Sequence, residues 1–147
     1  MAYKQPVSVL VIVHTPDLKV LLMERTDFPD AWQSVTGSRE DDERMIETAR
    51  RELLEETGLD AQQHILRDWD YCSDFEIYER WRHRYAPGVT TNTEHVFSLE
   101  VPETLAVTLA EREHSRYRWL DWHVAAEMVF SPSNAEAIRM LPERIGH

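Results

Sequence analysis

The chain has 147 residues, 42% hydrophobic and 29% charged, with a net charge of −11 and one cysteine. That is one globular domain with enough chain for a sizeable core. The acidic balance argues against a nucleic-acid backbone or an anionic membrane as partner, and the lone Cys72 excludes an internal disulfide framework.

The first residues, Met1 to Pro6, carry no basic region ahead of a long apolar run. No run reaches the roughly 18 apolar residues of a membrane span. With one cysteine, a reducing, cytoplasmic setting is expected. Cys72 has no basic neighbour or helix start to activate it, so it reads as an ordinary buried thiol rather than a nucleophile.

Val7 to Val13 is β-branched and almost wholly apolar, the pattern of a strand buried on both faces. Thr15-Pro16-Asp17 is a turn. Val20 to Arg25 reads as a second strand, hairpin-paired with the first. A polar loop with Pro29 follows, then a short extended piece from Trp32 to Val35 leading to Gly37. A helix is expected from Asp41 or Asp42, acids that favour a helix N-terminus. Its apolar positions Ile46, Ala49 and Leu53 face a sheet, and Gly58 is placed as a left-handed C-cap.

Ile65 to Trp69, Phe75 to Trp81, Glu94 to Val101 and Arg116 to Leu120 read as strands, with a charged loop over Thr108 to Ser115. Two amphipathic helices follow. The first covers Val124 to Met128, and the second opens on Ser131-Pro132 and runs to Met140. There is no repeat or linker, so residues 1–147 read as a single domain, a mixed sheet between helices.

The chemistry concentrates in the first helix. Glu52, Glu55 and Glu56 sit at helical spacing, where like charges repel by a few tenths of a kcal/mol, roughly 0.2–0.5 per pair. Stability alone does not select this. A hard divalent cation such as Mg²⁺ would relieve it, because such ions prefer carboxylate oxygens and bring phosphate oxygens with them. No paired cysteine or His-x-x-x-His spacing points to zinc. The residues therefore suggest metal-assisted attack of water on a phosphate-bearing substrate, against the plainer alternative of a solvated acidic helix face.

The stretch Gly37-x5-Glu43-x7-Arg51-Glu52-Leu53-x-Glu55-Glu56-x-Gly58-Leu59 resembles the Nudix box at every specified position. The resemblance implies an α/β fold, a Nudix-like α/β/α sandwich with a central mixed β-sheet. It implies Glu52 and Glu56 as main metal ligands and Glu55 as a further one, Arg51 holding the glutamates in place, and Glu43 tying loop to helix. Gly37 would allow a turn that a side chain would block. Many members carry glycine where this chain has Ser38 and Asp42, which bears on the loop's geometry and not on the acids.

Residues 32–38, which run into the box, and residues 82–90, 92–94 and 119–121 beyond it resemble the bacterial dihydroneopterin triphosphate pyrophosphatases of folate synthesis. That likeness, from Lys4 to Ile138, implies Mg²⁺-dependent hydrolysis of the triphosphate to monophosphate and pyrophosphate, with Mn²⁺ as a substitute ion. It implies Glu113 as a third metal ligand or as the base that activates water. Lys4, Arg25 and Thr36 would face phosphates or pterin. Phe75, Glu76, Ile77 and Tyr78 would line the base pocket, Glu76 accepting two hydrogen bonds from the amino-pyrimidinone edge. Ser131 would touch substrate, or serve only as a helix cap.

The basic cluster Arg80, Arg82, His83 and Arg84 is expected to be an exposed strand face rather than a phosphate trap. Two rival functions stand beside this reading. One is a general nucleoside triphosphate pyrophosphatase with a purine preference. The other is a catalytically silent ligand-sensing module, against which the intact acids argue. The expected partner is a small-molecule triphosphate, with no nucleic acid and no membrane. The apolar strands are compatible with pairing inside the chain or between subunits.

Overall fold

The computed structural model describes residues 3–146. Its centre is β1 (Val7–His14), whose apolar side chains are buried on both faces. Such a strand needs partners on both edges and layers on both sides. On one edge it runs parallel to β6 (Thr91–Glu100), with Val7 opposite Thr93 and His14 opposite Glu100. On the other edge its first half pairs antiparallel with β4 (Val35–Ser38), Val9 opposite Gly37.

The expected hairpin between the first two strands is nearly absent. β2 (Lys19–Arg25) touches β1 in register only where His14 meets Val20. Its main partner is β7 (His114–Asp121), in an antiparallel ladder from Lys19–Asp121 to Arg25–His114. β3 (Trp32–Gln33) pairs on its other side. The turn at Thr15 to Leu18 thus redirects the chain, with Leu18 left-handed at φ 64°. The consequence is functional: β2 brings the residues around Arg25 beside those around His114.

Ile65 to Trp69 and the start of Phe75 to Trp81 are one long strand, β5 (Ile65–Glu76), antiparallel to β6. A register shift between Asp68 and Cys72 interrupts it, with Asp70 at φ 51°. The bulge hid the continuity, because it breaks the alternation that marks a strand. Residues Glu79–Arg84 form a 3-10 helix and not a strand. Cys72 is exposed rather than buried.

Helix α1 (Met45–Thr57) lies on one face of the sheet and buries Ala49 and Leu53 against Val9, Val11 and Phe97. It begins later than the acids at 41 and 42 suggest. The Arg44 N–H instead donates to the Glu47 carboxylate at 2.8 Å, satisfying one orphan donor of the first turn. Gly58 closes the helix at φ 75°, its N–H donating to the Leu54 carbonyl at 3.0 Å. On the opposite face, α2 (Trp122–Met128) and α3 (Pro132–Arg144) cover Leu10, Ile12 and Val96. α3 starts at Ser131-Pro132 as the sequence indicates, yet continues through Pro142 to Arg144. The result is an α/β/α sandwich around a mixed seven-stranded sheet. No helix among the described residues is long and apolar enough to cross a membrane.

Candidate active site

Between α1, the 3-10 helix and the start of α3 lies a cavity of about 1040 Å³. That is large enough for a ligand of nucleotide size. Residues from both faces of the sheet line it. Glu52 and Glu56 enter from α1, and Asn92 and Glu94 enter from β6.

Helical spacing puts Glu52 and Glu56 one turn apart on the side of α1 that meets β4. Both are buried, at 9% and 1% exposure, which is unusual for carboxylates. Neither oxygen of Glu56 has a hydrogen-bond partner among the described residues. Burial pushes both carboxyls above the usual range. Arg51 beside Glu52 pulls that one back, whereas Glu56 is driven further by the charges of Glu52 and Glu113. Buried carboxylate oxygens, those of Glu56 without a partner, are donors of the kind a hard cation prefers, so the residues present fit such an ion.

Arg51 is the hub that fixes these acids. Its Nε and Nη2 donate to the two oxygens of Glu43 at 2.9 and 3.1 Å. Nη1 donates to Glu52 at 2.9 Å and to Glu55 at 3.2 Å, and Nη2 also reaches the Ser38 carbonyl at 2.9 Å. A planar fork can serve this many acceptors in fixed directions, and an ammonium cannot. Glu43 in turn accepts from the Glu40 N–H and the Thr48 hydroxyl, at 2.9 and 3.0 Å. The acidic loop is thereby tied to the helix, and Glu43 is held ionised down to about pH 2, chiefly by the Arg51 hydrogen bonds.

Gly37 has a different reason from the expected turn. It lies inside β4, in register with Val9, and its φ is not left-handed. A Cβ there would overlap the Glu52 carboxyl group. Glycine is required so that Glu52 can lie flat against the strand.

Glu113, at the end of the charged loop, is exposed, and its carbonyl accepts from the Thr26 N–H at 2.9 Å. It offers a carboxylate oxygen within 4.8 Å of ligand atoms of Glu56 and His114. His114 is a residue the sequence did not single out. Its Nδ1 lies 3.9 Å from Glu56 Oε1, and its Nε2 is 2.9 Å from the Gln33 side chain. Burial, reinforced by the nearby Arg25 charge, lowers the imidazole pKa to about 4, so the ring is neutral at pH 7. The available signal was its position directly after Glu113, at the start of β7.

The basic candidates also line the cavity. Lys4 keeps contact with solvent, yet the enclosing walls and the charges of Arg84 and Arg25 hold its ammonium below the usual range. Arg25 is paired bidentately with Asp27, at 2.8 Å for both bonds, and lies over the Trp81 ring at 4.4 Å. Thr36 turns its hydroxyl to the Val9 carbonyl at 2.9 Å. The basic cluster divides. Arg84 lines the cavity, while Arg80 stacks on Phe28 and Arg82 engages Glu76.

Phe75, Glu76, Ile77 and Tyr78 all border the cavity, in different states. Ile77 is buried, and Tyr78 is exposed at the mouth against Trp81 and Phe130. The Glu76 carboxylate is exposed and already engaged by Arg82 at 2.6 Å. Ser131 stands at the α3 N-terminus without capping it, its hydroxyl 3.0 Å from that of Ser133.

Comparison with known proteins agrees with this geometry. The NUDIX domain matches residues 4–141. The dihydroneopterin triphosphate diphosphatase of Escherichia coli K12 is 47% identical over 139 residues, covering 92% of this chain and 91% of that protein. The Haemophilus influenzae protein of the same name is 43% identical over 142 residues, covering 95% and 89%. The solved structure of the E. coli dihydroneopterin triphosphate pyrophosphohydrolase superposes with a TM-score of 0.89 at 45% identity, covering 95% of this chain and 97% of that one. With its box helix, its sandwich and a match along nearly the whole chain, this protein belongs to the Nudix family.

Proposed function

We propose that the protein hydrolyses dihydroneopterin triphosphate to the monophosphate and pyrophosphate, using Mg²⁺ held by Glu52 and Glu56. The observation that carries this reading is the buried carboxylate pair on α1, with both Glu56 oxygens unsatisfied beside the large cavity. The substrate rests on the two relatives of that name, at 47% and 43% identity over more than nine-tenths of this chain.

A bound divalent cation supplies neutralisation of phosphate charge and a more acidic water. The chain supplies the rest. Arg51 holds Glu52, and through Glu43 the acidic loop, in one arrangement before substrate arrives, so little reorganisation is left for the reaction. Lys4, Arg25 and Arg84 give the cavity positive charge next to the acids, which suits a polyanion. Glu113 is the base in this proposal. It is exposed, near Glu56, and able to take a proton from water, whereas Glu55 is drawn to Arg51 at the rim. His114, neutral at pH 7, would complete the ligand set or orient Glu113.

Parallel kinetics with dihydroneopterin triphosphate, dGTP and dATP test the substrate. The highest kcat/KM is expected for the pterin. A higher value for a nucleotide would instead favour the general purine triphosphate pyrophosphatase.

A further inference from the structure

Two buried polar groups on β6 play no part in the chemistry above. Asn92 is 1% exposed and Glu94 is 5% exposed, and both line the cavity. Two residues apart on a strand, they point to the same side, the side of Val96 and the α3 layer. Glu94 Oε1 and Asn92 Oδ1 have no hydrogen-bond partner among the described residues.

Their neighbours are satisfied. Asn134, equally buried, accepts from the Ser34 N–H at 2.9 Å and donates to the Ser34 hydroxyl at 3.0 Å. That bridge locks the α3 N-terminus to the β3–β4 junction. Asn92 is anchored on its other side, donating to the Ser8 hydroxyl at 2.7 Å. A serine hydroxyl can donate or accept, so either end of the Asn92 amide can face the cavity. The Ser133 hydroxyl steadies Glu94 and partly offsets the burial that pushes its carboxyl up to about 7. A buried acid with an open oxygen, set in a rigid polar frame, is costly unless a ligand completes it.

We propose that Glu94, assisted by Asn92, recognises the heterocycle of the substrate by its 2-amino-4-oxo-pyrimidine edge. This rests on the pterin reading above and deepens it. That edge presents a ring N–H and an exocyclic amino group side by side, two donors matched to the two oxygens of one carboxylate. The adjacent carbonyl takes a donor from Asn92. Adenine presents a ring lone pair where the edge has its N–H, so a carboxylate there repels it. Glu76, the acid singled out from sequence for this role, is exposed and bound to Arg82 at the mouth.

The test is the ratio of kcat/KM for dihydroneopterin triphosphate over dATP, and for dGTP over dATP, in wild type and Glu94→Gln. Glutamine can donate to the adenine ring nitrogen, and Asn92 can accept from the adenine amino group, which lies where the edge has its carbonyl, so both ratios are expected to fall by about 100-fold or more. A parallel loss on all three substrates, or no change, would overturn the assignment. Wild-type enzyme gives a second measure that needs no variant. dITP keeps the ring N–H but lacks the 2-amino group, and its kcat/KM is expected about tenfold or more below that of dGTP. Equal values for the two would overturn the proposal. A wild-type preference for dGTP over the pterin would defeat the substrate reading and leave the Glu94 claim standing on the dGTP:dATP ratio. A preference for dATP would defeat both.

Discussion

Arg51 and Glu43 meet as fork and carboxylate, through bonds of 2.9 and 3.1 Å from Nε and Nη2. The same guanidinium reaches Glu52, so loop closure and the candidate metal site share one arginine. Arg51→Lys keeps the charge but loses the fork. We predict a fall in kcat of about tenfold or more, the scale seen when a positioning contact is lost. The variant should also unfold at higher pH on acidification. Glu43 has a folded pKa of about 2 against 4.5, so its contribution to stability is full above about pH 4.5 and is lost as pH falls towards 2. Weakening the pair raises that folded pKa and narrows the window. An acid titration followed by circular dichroism measures it.

Gly37→Ala separates packing from chemistry. The new methyl would overlap the Glu52 carboxyl, which is the far end of a flexible side chain and can swing away. We predict a loss of kcat of about tenfold or more, as the proposed metal ligand Glu52 leaves its position, with Tm changed by only a few degrees. Thermal unfolding and steady-state kinetics on the same preparation distinguish this from a folding defect. A glycine needed for a turn would show the reverse, because strain at a left-handed position costs stability first.

Glu94→Gln should stabilise the protein above neutral pH while impairing recognition. Burial raises the Glu94 pKa to about 7 from 4.5, so the folded state holds this proton longer than the unfolded chain. Its contribution is fully present below about pH 4.5 and is lost as pH rises through 7. Relative to wild type, Tm of Glu94→Gln is predicted to rise between pH 4.5 and 7 and stay higher at pH 8, by a few degrees. A pH series of melting curves checks the sign. Binding residues commonly carry such a stability cost.

How much of this the sequence could carry differs by element. The box helix was legible because Glu52, Glu55 and Glu56, Arg51 and Gly58 are fixed at short range by helical geometry, and a short-range pattern needs no tertiary information. β1 was legible because a strand buried on both faces leaves an unbroken apolar run. Its pairing was not. Proximity in sequence favours a hairpin, yet β2 is matched along its length by β7, and nothing local to residues 15–18 announces that.

The recognition end of the site was the least legible part. Glu76 and Glu94 are both acids on strands bordering the cavity, and sequence does not tell which one is buried. Neighbouring chain decides it. Arg82, on the 3-10 helix whose first residues the pattern read as strand, captures Glu76, while Glu94 sits beside β1 in the sheet and is met by Ser133 of α3. His114 was missed for a similar reason. Its closeness to Glu56 joins the start of β7 to α1, elements far apart in the chain.

Glu56→Gln addresses the metal directly. It removes the charge of the proposed ligand with little change in side-chain size, so the fold should persist, as judged by an unchanged circular dichroism spectrum. Mg²⁺-dependent pyrophosphate release is predicted to fall by about 10³-fold or more, the scale on which a catalytic electrostatic element acts. Turnover at the wild-type rate would show that Glu56 is not a ligand.

Release of pyrophosphate and a monophosphate requires this Nudix protein to cleave the pterin triphosphate between its α and β phosphorus atoms. Phosphorus NMR of dihydroneopterin triphosphate incubated with purified protein, with Mg²⁺ and with chelator, identifies the bond that breaks. Pyrophosphate and dihydroneopterin monophosphate are expected in equal amounts with Mg²⁺, and no turnover with chelator. Orthophosphate with a diphosphate product, or turnover that survives removal of divalent ions, would contradict the proposed function.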